Sequence, residues 1–273
     1  MPAETAQKDT PAPVTVAKGG RGSSGVYVEI FTQNFQYGKD FFEAFELGVS
    51  PARMAAYKGE PREGLTEEDL ALARYLLNVA LCESLYAPLH LCEIGLRNAI
   101  HRELTKQMKQ EDWFDSPAFQ LKDRAKKEIA EAKQKVVNEC KPVTADNVIS
   151  NLNFGFWTNL FDTHYVHYTK FLPAGIKGVF PYLPKSLHHI KDRRADLDKI
   201  RQLRNRLFHH ERIIHWKDLD SRHQQIHDVL GWLNPSLQHM VQAVDRFADL
   251  RSAGLRPWID IVQGNGRGVG YGN

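Results

Sequence analysis

The chain has 273 residues, with 36 Lys and Arg against 33 Asp and Glu and a formal net charge of +3. A hydrophobic content of 42% supports a sizeable core, and 19 Gly with 13 Pro exclude a collagen-like or wholly disordered chain. Three cysteines (Cys82, Cys92 and Cys140) are too few for a disulfide framework. Cys82 and Cys92, about 15 Å apart on one predicted helix, are too distant to bridge. Reduced thiols and a cytoplasmic location are therefore expected.

In chain order, residues 1–25 mix Pro, Ala, Thr, Gly and Ser and read as a flexible tail without an apolar signal-peptide core. Residues 26–49 read as an N-terminal arm, and 26–31 is the one plausible strand. Thr66 with Asp69 three residues on resembles a capping box. Leu70, Ala73, Leu77, Leu81 and Leu85 follow at helical spacing. Pro88 should kink or break this helix, with a second segment running through Leu89, Ile94, Leu96 and Ile100 to about 108. The most apolar stretch, 75–96, is interrupted by Glu83, His90 and Glu93, so no membrane span is expected.

Ser116 and Pro117 should open a Lys- and Glu-rich helix ending near 138. An aromatic-rich helix over 147–161 follows, then a loop marked by Pro173, Gly175, Gly178, Pro181 and Pro184. The spacing of Leu197, Ile200, Leu203 and Leu207 predicts a helix over 187–208 with one apolar stripe. Two more helices, 218–232 and 235–251, precede a Gly-rich tail over 253–273. The expected fold is all-α, with a folded unit over 50–252.

The chemistry concentrates in Leu203-Arg-Asn-Arg-Leu-Phe-His-His-Glu-Arg-Ile213. Residues 185–212 hold nine Lys and Arg against four Asp and Glu, a local excess above that of the whole chain. Such a cationic helix favours a phosphate partner. Asn205 and His209 are four apart, about 40° in projection, so the amide can reach the imidazole and fix its tautomer. Arg204 and His209 are about 140° apart, so they share a phosphate only through a distorted helix end or across a symmetric interface. His209 lies at the predicted helix C-terminus, where the dipole favours imidazolium. Transesterification of RNA needs such groups. One imidazole takes the 2′-hydroxyl proton, another protonates the leaving 5′-oxygen, and arginine steadies the phosphorane charge.

This segment resembles the R-x-x-x-x-H signature of HEPN domains, in the R-N-x-x-x-H form of the Abi-like (abortive infection) family. Leu91-Cys-Glu-Ile-Gly-Leu-Arg-Asn-Ala-Ile100 is similar to that family's E-x-x-L-R-N-A-I helix, and Asn153-Phe-Gly-Phe-Trp157 to its F-G-F-W segment. The resemblance runs from about residue 50 to 251. Residues 1–49 match nothing in it, and Arg212 follows Glu211 where the family often has proline. The resemblance implies a helical HEPN bundle, a homodimer with a composite active site, and metal-independent ribonuclease activity in phage defence or as a toxin. Arg204, Asn205 and His209 take the catalytic motif positions. It also implies RNA as substrate or as a bound antitoxin, with no cofactor and no metal.

His210, Glu211, Glu93, Arg97 and Asn98 are candidate accessory residues, and Arg201, Arg206 and Arg212 candidate RNA contacts. Glu93 and Arg97 form either a plain helix ion pair or, if Glu93 turns to Arg204, part of the site. Phe154 and Trp157 have buried-face spacing and are expected in the core rather than stacked on bases. Ten of twelve histidines fall between His164 and His239. His164 with His167, and His223 with His227, have ligand-like spacing, but neither carries the glutamate of H-E-x-x-H, and surface or groove histidines are the better reading. The rival readings are a non-cleaving RNA-binding module and an adaptor whose basic helix binds an acidic protein.

Overall fold

The Thr66 hydroxyl accepts the Asp69 amide at 3.0 Å, and the Asp69 carboxylate accepts the Thr66 amide at 3.2 Å. This capping box starts α3, Glu67–Met108, the axis of the fold. The structure is a computed structural model and describes residues 39–60, 64–167, 171–187 and 190–264. Among these the fold is all-α. The tail over 1–25, the strand over 26–31 and the chain beyond 264 lie outside the described residues.

Pro88 does not break α3, which runs unbroken for 42 residues. The lost hydrogen bond and ring clash cost about 3 kcal/mol. Against this, Leu81, Leu85, Cys92 and Leu96 on either side are fully buried, each aliphatic side chain contributing roughly 1.5–3 kcal/mol. By length and composition alone α3 could cross a bilayer, but here other helices cover its buried residues on several sides.

α1 (Lys39–Val49) and α2 (Pro51–Ala55) pack on the first turns of α3 together with α13 (Arg256–Val262). Phe42, Met54, Tyr57, Leu70, Ile259 and Val262 form that small core. Folded chain therefore extends beyond both expected boundaries. Residues 39–49 of the arm and 256–262 of the Gly-rich tail are helices, because each carries apolar residues that find a face of α3.

The main core lies along the rest of α3. α4 (Asp123–Asn138) begins later than Ser116-Pro117 suggests. The Ser116 hydroxyl instead accepts the Ala118 amide in a turn that follows a 3-10 helix, Trp113–Asp115. The aromatic segment is two short helices, α5 (Ala145–Ser150) and α6 (Phe154–Asn159), each opened by its own cap, Thr144 and Asn153. Phe154 and Trp157 are buried core residues, as their spacing predicts, and Phe156 is buried with them.

After α7 (Thr163–His167), the expected loop holds α8 (Phe171–Val179). Pro173 sits in its first turn, where the missing N–H has no helical partner. A Cβ on Gly178 would collide with the Glu103 carboxylate of α3, so this glycine permits the close approach. α9 (Ile190–Phe208) keeps the predicted stripe, with Leu197, Ile200, Leu203 and Leu207 buried. α10 (Leu219–Leu233), α11 (Pro235–Gln242) and α12 (Phe247–Ala253) complete the set. The expected 235–251 helix is thus split at a turn around Asp245.

Burial pushes the Cys82 thiol up to about 11 and the Cys92 thiol up to about 12, whereas Cys140 is exposed and all three are free. The thiolate is the reactive form. Iodoacetamide at neutral pH should therefore label Cys140 alone in native protein and all three thiols after denaturation, as counted by intact mass.

Candidate functional site

The C-terminal end of α9 is built by its backbone. The amide of His210 donates to the Leu207 carbonyl at 3.0 Å and that of Glu211 to the Arg206 carbonyl at 2.9 Å. His210 takes the left-handed conformation, φ 57°. This is a Schellman ending with histidine in the position usually held by glycine. The chain beyond it is held by neighbouring helices. Arg53 of α2 donates to the His210 carbonyl, and Arg212 donates to the Ala56 carbonyl while lying 5.9 Å from the Tyr57 ring centre. Asn78 of α3, itself buried, accepts the amides of Ile213 at 2.8 Å and Ile214 at 3.3 Å.

Arg204 points back to α3. Its Nε donates to Glu93 Oε2 at 3.3 Å, and its guanidinium lies 4.4 Å from the centre of the Phe208 ring. Glu93 therefore serves Arg204 rather than the i,i+4 partner Arg97, whose Nε donates to Asn98 Oδ1 at 3.1 Å. Phe208, 39% exposed, faces Tyr86, 52% exposed, with ring centres 6.0 Å apart. Tyr86 in turn stacks on His90 at 5.8 Å. Asn205, His209 and His210, at the same end of α9, are exposed. The result is an open strip of two aromatic rings and the His90 imidazole, with one positioned guanidinium.

Several sequence expectations meet a different geometry. Asn205 and His209 share the backbone bond His209 N–H to Asn205 carbonyl, 2.9 Å, but no side-chain hydrogen bond joins them among the described residues. His209 follows Phe208, the last residue of α9. The candidate RNA arginines have intramolecular partners. Arg201 pairs with Asp198 at 3.0 Å and bonds Asn159, Arg206 pairs with Glu211, and Arg212 is committed to Ala56. Arg193 and Arg194 likewise pair with Asp196 and Asp198. Asp196, Asp198 and Glu211 already stand in the local count, so only Glu93 and Asp162 bring further negative charge to the segment, and a cationic excess remains.

Sequence reasoning missed Tyr86 and His90, which resemble ordinary residues of an apolar helix until the fold leaves them uncovered. It also missed Asn78, a polar residue inside an apolar run, which is a signal in its own right because a buried amide needs partners. His223 and His227 are not surface histidines: His227 is 8% exposed, and both contact Asp245. The pair His164 and His167 reaches past the described residues, since the His167 side chain is outside them.

No family model, curated protein or solved structure matches the chain.

Replacing His210 with glycine should stabilise the protein by about 0.5–1 kcal/mol in urea unfolding, because glycine takes the left-handed position without the Cβ penalty. Asn78→Ala should cost about 1–3 kcal/mol, since two backbone amides lose the side-chain acceptor they share. Hydrogen exchange in that variant should accelerate first at Ile213 and Ile214.

Proposed function

We propose that the chain is a metal-independent endoribonuclease of the HEPN, Abi-like kind, acting in the cytoplasm in phage defence or as a toxin. The observation that carries this reading is the Glu93–Arg204 ion pair. It joins the two stretches whose residues resemble that family, 91–100 and 203–211, into one surface although 111 positions separate the partners. An arginine held by a carboxylate, five residues before an exposed histidine at the helix end, offers a fixed cation and a general base on one segment.

In this reading the unit of activity is a homodimer with the two α9 ends apposed. One His209 takes the proton of the 2′-hydroxyl, which attacks the adjacent phosphorus. The His209 of a second copy gives a proton to the departing 5′-oxygen, and Arg204 stabilises the charge on the phosphorane oxygens. Products carry 2′,3′-cyclic phosphate and 5′-hydroxyl ends. Asn205, exposed and without a bond to the imidazole, is then a substrate or partner contact rather than the group that orients His209. His209 of one copy supplies only one of the two proton-transfer roles, which is the chemical reason for pairing.

The exposed rings of Tyr86 and Phe208 favour a second reading, in which the strip stacks bases of single-stranded RNA and holds them uncut. The two readings part in one experiment. Full-length protein is incubated with total RNA in EDTA, wild type beside His209→Ala. The nuclease reading expects cleavage with cyclic phosphate ends in the first, and a rate lower by roughly 10²–10⁴-fold in the second. Because His209 is exposed, the variant's circular dichroism should match the wild type. RNA that stays full length in both lanes, yet is retained by the protein at low salt, would replace the nuclease with the binding module.

A further inference from the structure

His223 and His227 are four apart on α10, so their rings share one face of that helix. Opposite them, in the turn between α11 and α12, stands Asp245. His223 Nε2 is 2.6 Å and His227 Nε2 2.5 Å from the same carboxylate oxygen, Asp245 Oδ2, and the two nitrogens are 3.2 Å apart. Three atoms able to ligate a metal therefore converge on one point, each from a different residue. The carboxylate side chain is 9% exposed, and the two imidazole side chains are 15% and 10% exposed.

We propose that His223, His227 and Asp245 form a binding site for a divalent transition-metal ion, Zn2+ in the first instance. Two imidazoles and one carboxylate are a ligand set suited to Zn2+, and three protein ligands leave the remaining position to water. The nitrogen spacing fits. Two imidazole nitrogens on a tetrahedral Zn2+, each about 2.0–2.1 Å from it, stand roughly 3.3–3.4 Å apart. The carboxylate oxygen lies closer to both nitrogens than such a tetrahedron allows, and it would withdraw by roughly 0.7 Å to admit the ion. That is a side-chain adjustment on a turn, not a change of fold.

The surroundings hold the ligands in place. The second carboxylate oxygen, Oδ1, accepts the Phe247 amide at 2.9 Å, which fixes the direction of Oδ2. The Phe247 ring lies flat against that of His223, centres 4.3 Å apart and planes 20° from parallel. The His227 carbonyl accepts Gln238 Nε2 at 3.0 Å, tying α10 to α11 next to the site. The ion is a staple between α10 and the α11–α12 corner, and it takes no part in the RNA chemistry proposed above.

The test uses full-length protein stripped with EDTA, returned to metal-free buffer and titrated with Zn2+ by calorimetry, with zinc counted by elemental analysis after desalting. One ion per chain is expected. The thermal midpoint should rise by roughly 5 °C or more at a hundredfold excess over the dissociation constant. His223→Ala and Asp245→Asn should each weaken binding at least tenfold, while the exposed His239→Ala binds as the wild type does. Co2+ added to stripped wild type should give the visible absorption of a nitrogen- and oxygen-ligated ion of low coordination number, a readout that survives even if a variant fails to fold. Folded wild type that retains no zinc overturns the proposal, and so does zinc binding that persists when His223 and His227 are both replaced. Neither result depends on whether the protein cuts RNA.

Discussion

Burial of α3 is the constraint from which the rest follows. Leu70, Ala71, Leu72 and Ala73 are consecutive and all buried, although successive helical residues point about 100° apart. A helix that is apolar on more than one side must be covered on more than one side. That demand recruits α1, α2 and α13 around its first turns and α6, α8, α10, α11 and α12 farther along. It also explains glycines inside helices. A Cβ on Gly95 would stand 2.9 Å from the Leu237 methyl of α11, so this position of α3 stays bare to let a neighbour in. Where α3 carries a polar group within its covered surface, leaving it unmatched costs free energy. Asn78 and Glu93 are such positions, and both are matched by the chain at the end of α9.

The matching changes the electrostatic character of the candidate site. Residues 185–212 carry an excess of positive charge, but Arg193, Arg194, Arg201, Arg204 and Arg206 each form an ion pair with a carboxylate. Among their carboxylate partners only Glu93 and Asp162 lie outside the segment, so pairing lowers the counted excess from five to three and leaves a cationic field. What the pairing provides is position. Glu93 and Phe208 hold the Arg204 fork in one place, so a phosphate that shares it with Glu93 gains an oriented donor without first ordering a flexible side chain.

The fold class and most helices could be read from periodicity because their burial follows a single stripe, as in Leu197, Ile200, Leu203 and Leu207. Boundaries were harder where a local rule competes with packing. Pro88 satisfies the rule for a break and loses to the leucines around it. Pro173 sits within a run of loop-forming residues, yet a proline in a first turn is compatible with a helix. The segment after 253 has a glycine-rich end, which concealed that Ile259 and Val262 fill a gap on α3. The Glu93–Arg204 contact was one of two arrangements consistent with the sequence, since helical spacing served Arg97 equally well. Only the packing of α9 on α3 separates them.

The histidines show why spacing by itself is a weak guide to chemistry and what strengthens it. His209 and His210 end a helix and are exposed, whereas His223 and His227 have the same residue type and a ligand-like interval but sit among Leu219, Ile226 and Leu230, all fully buried. A position that continues an apolar stripe is destined for the interior, whatever residue occupies it. An imidazole placed there has to find a polar partner inside, because an unmatched buried polar group costs about 1–3 kcal/mol. On α10 two imidazoles face that requirement together, and one turn after α11 delivers one carboxylate to both. A single acceptor oxygen shared by two nitrogens 3.2 Å apart meets the hydrogen-bonding need with little room to spare. An ion at the centre would meet it for all three groups at once.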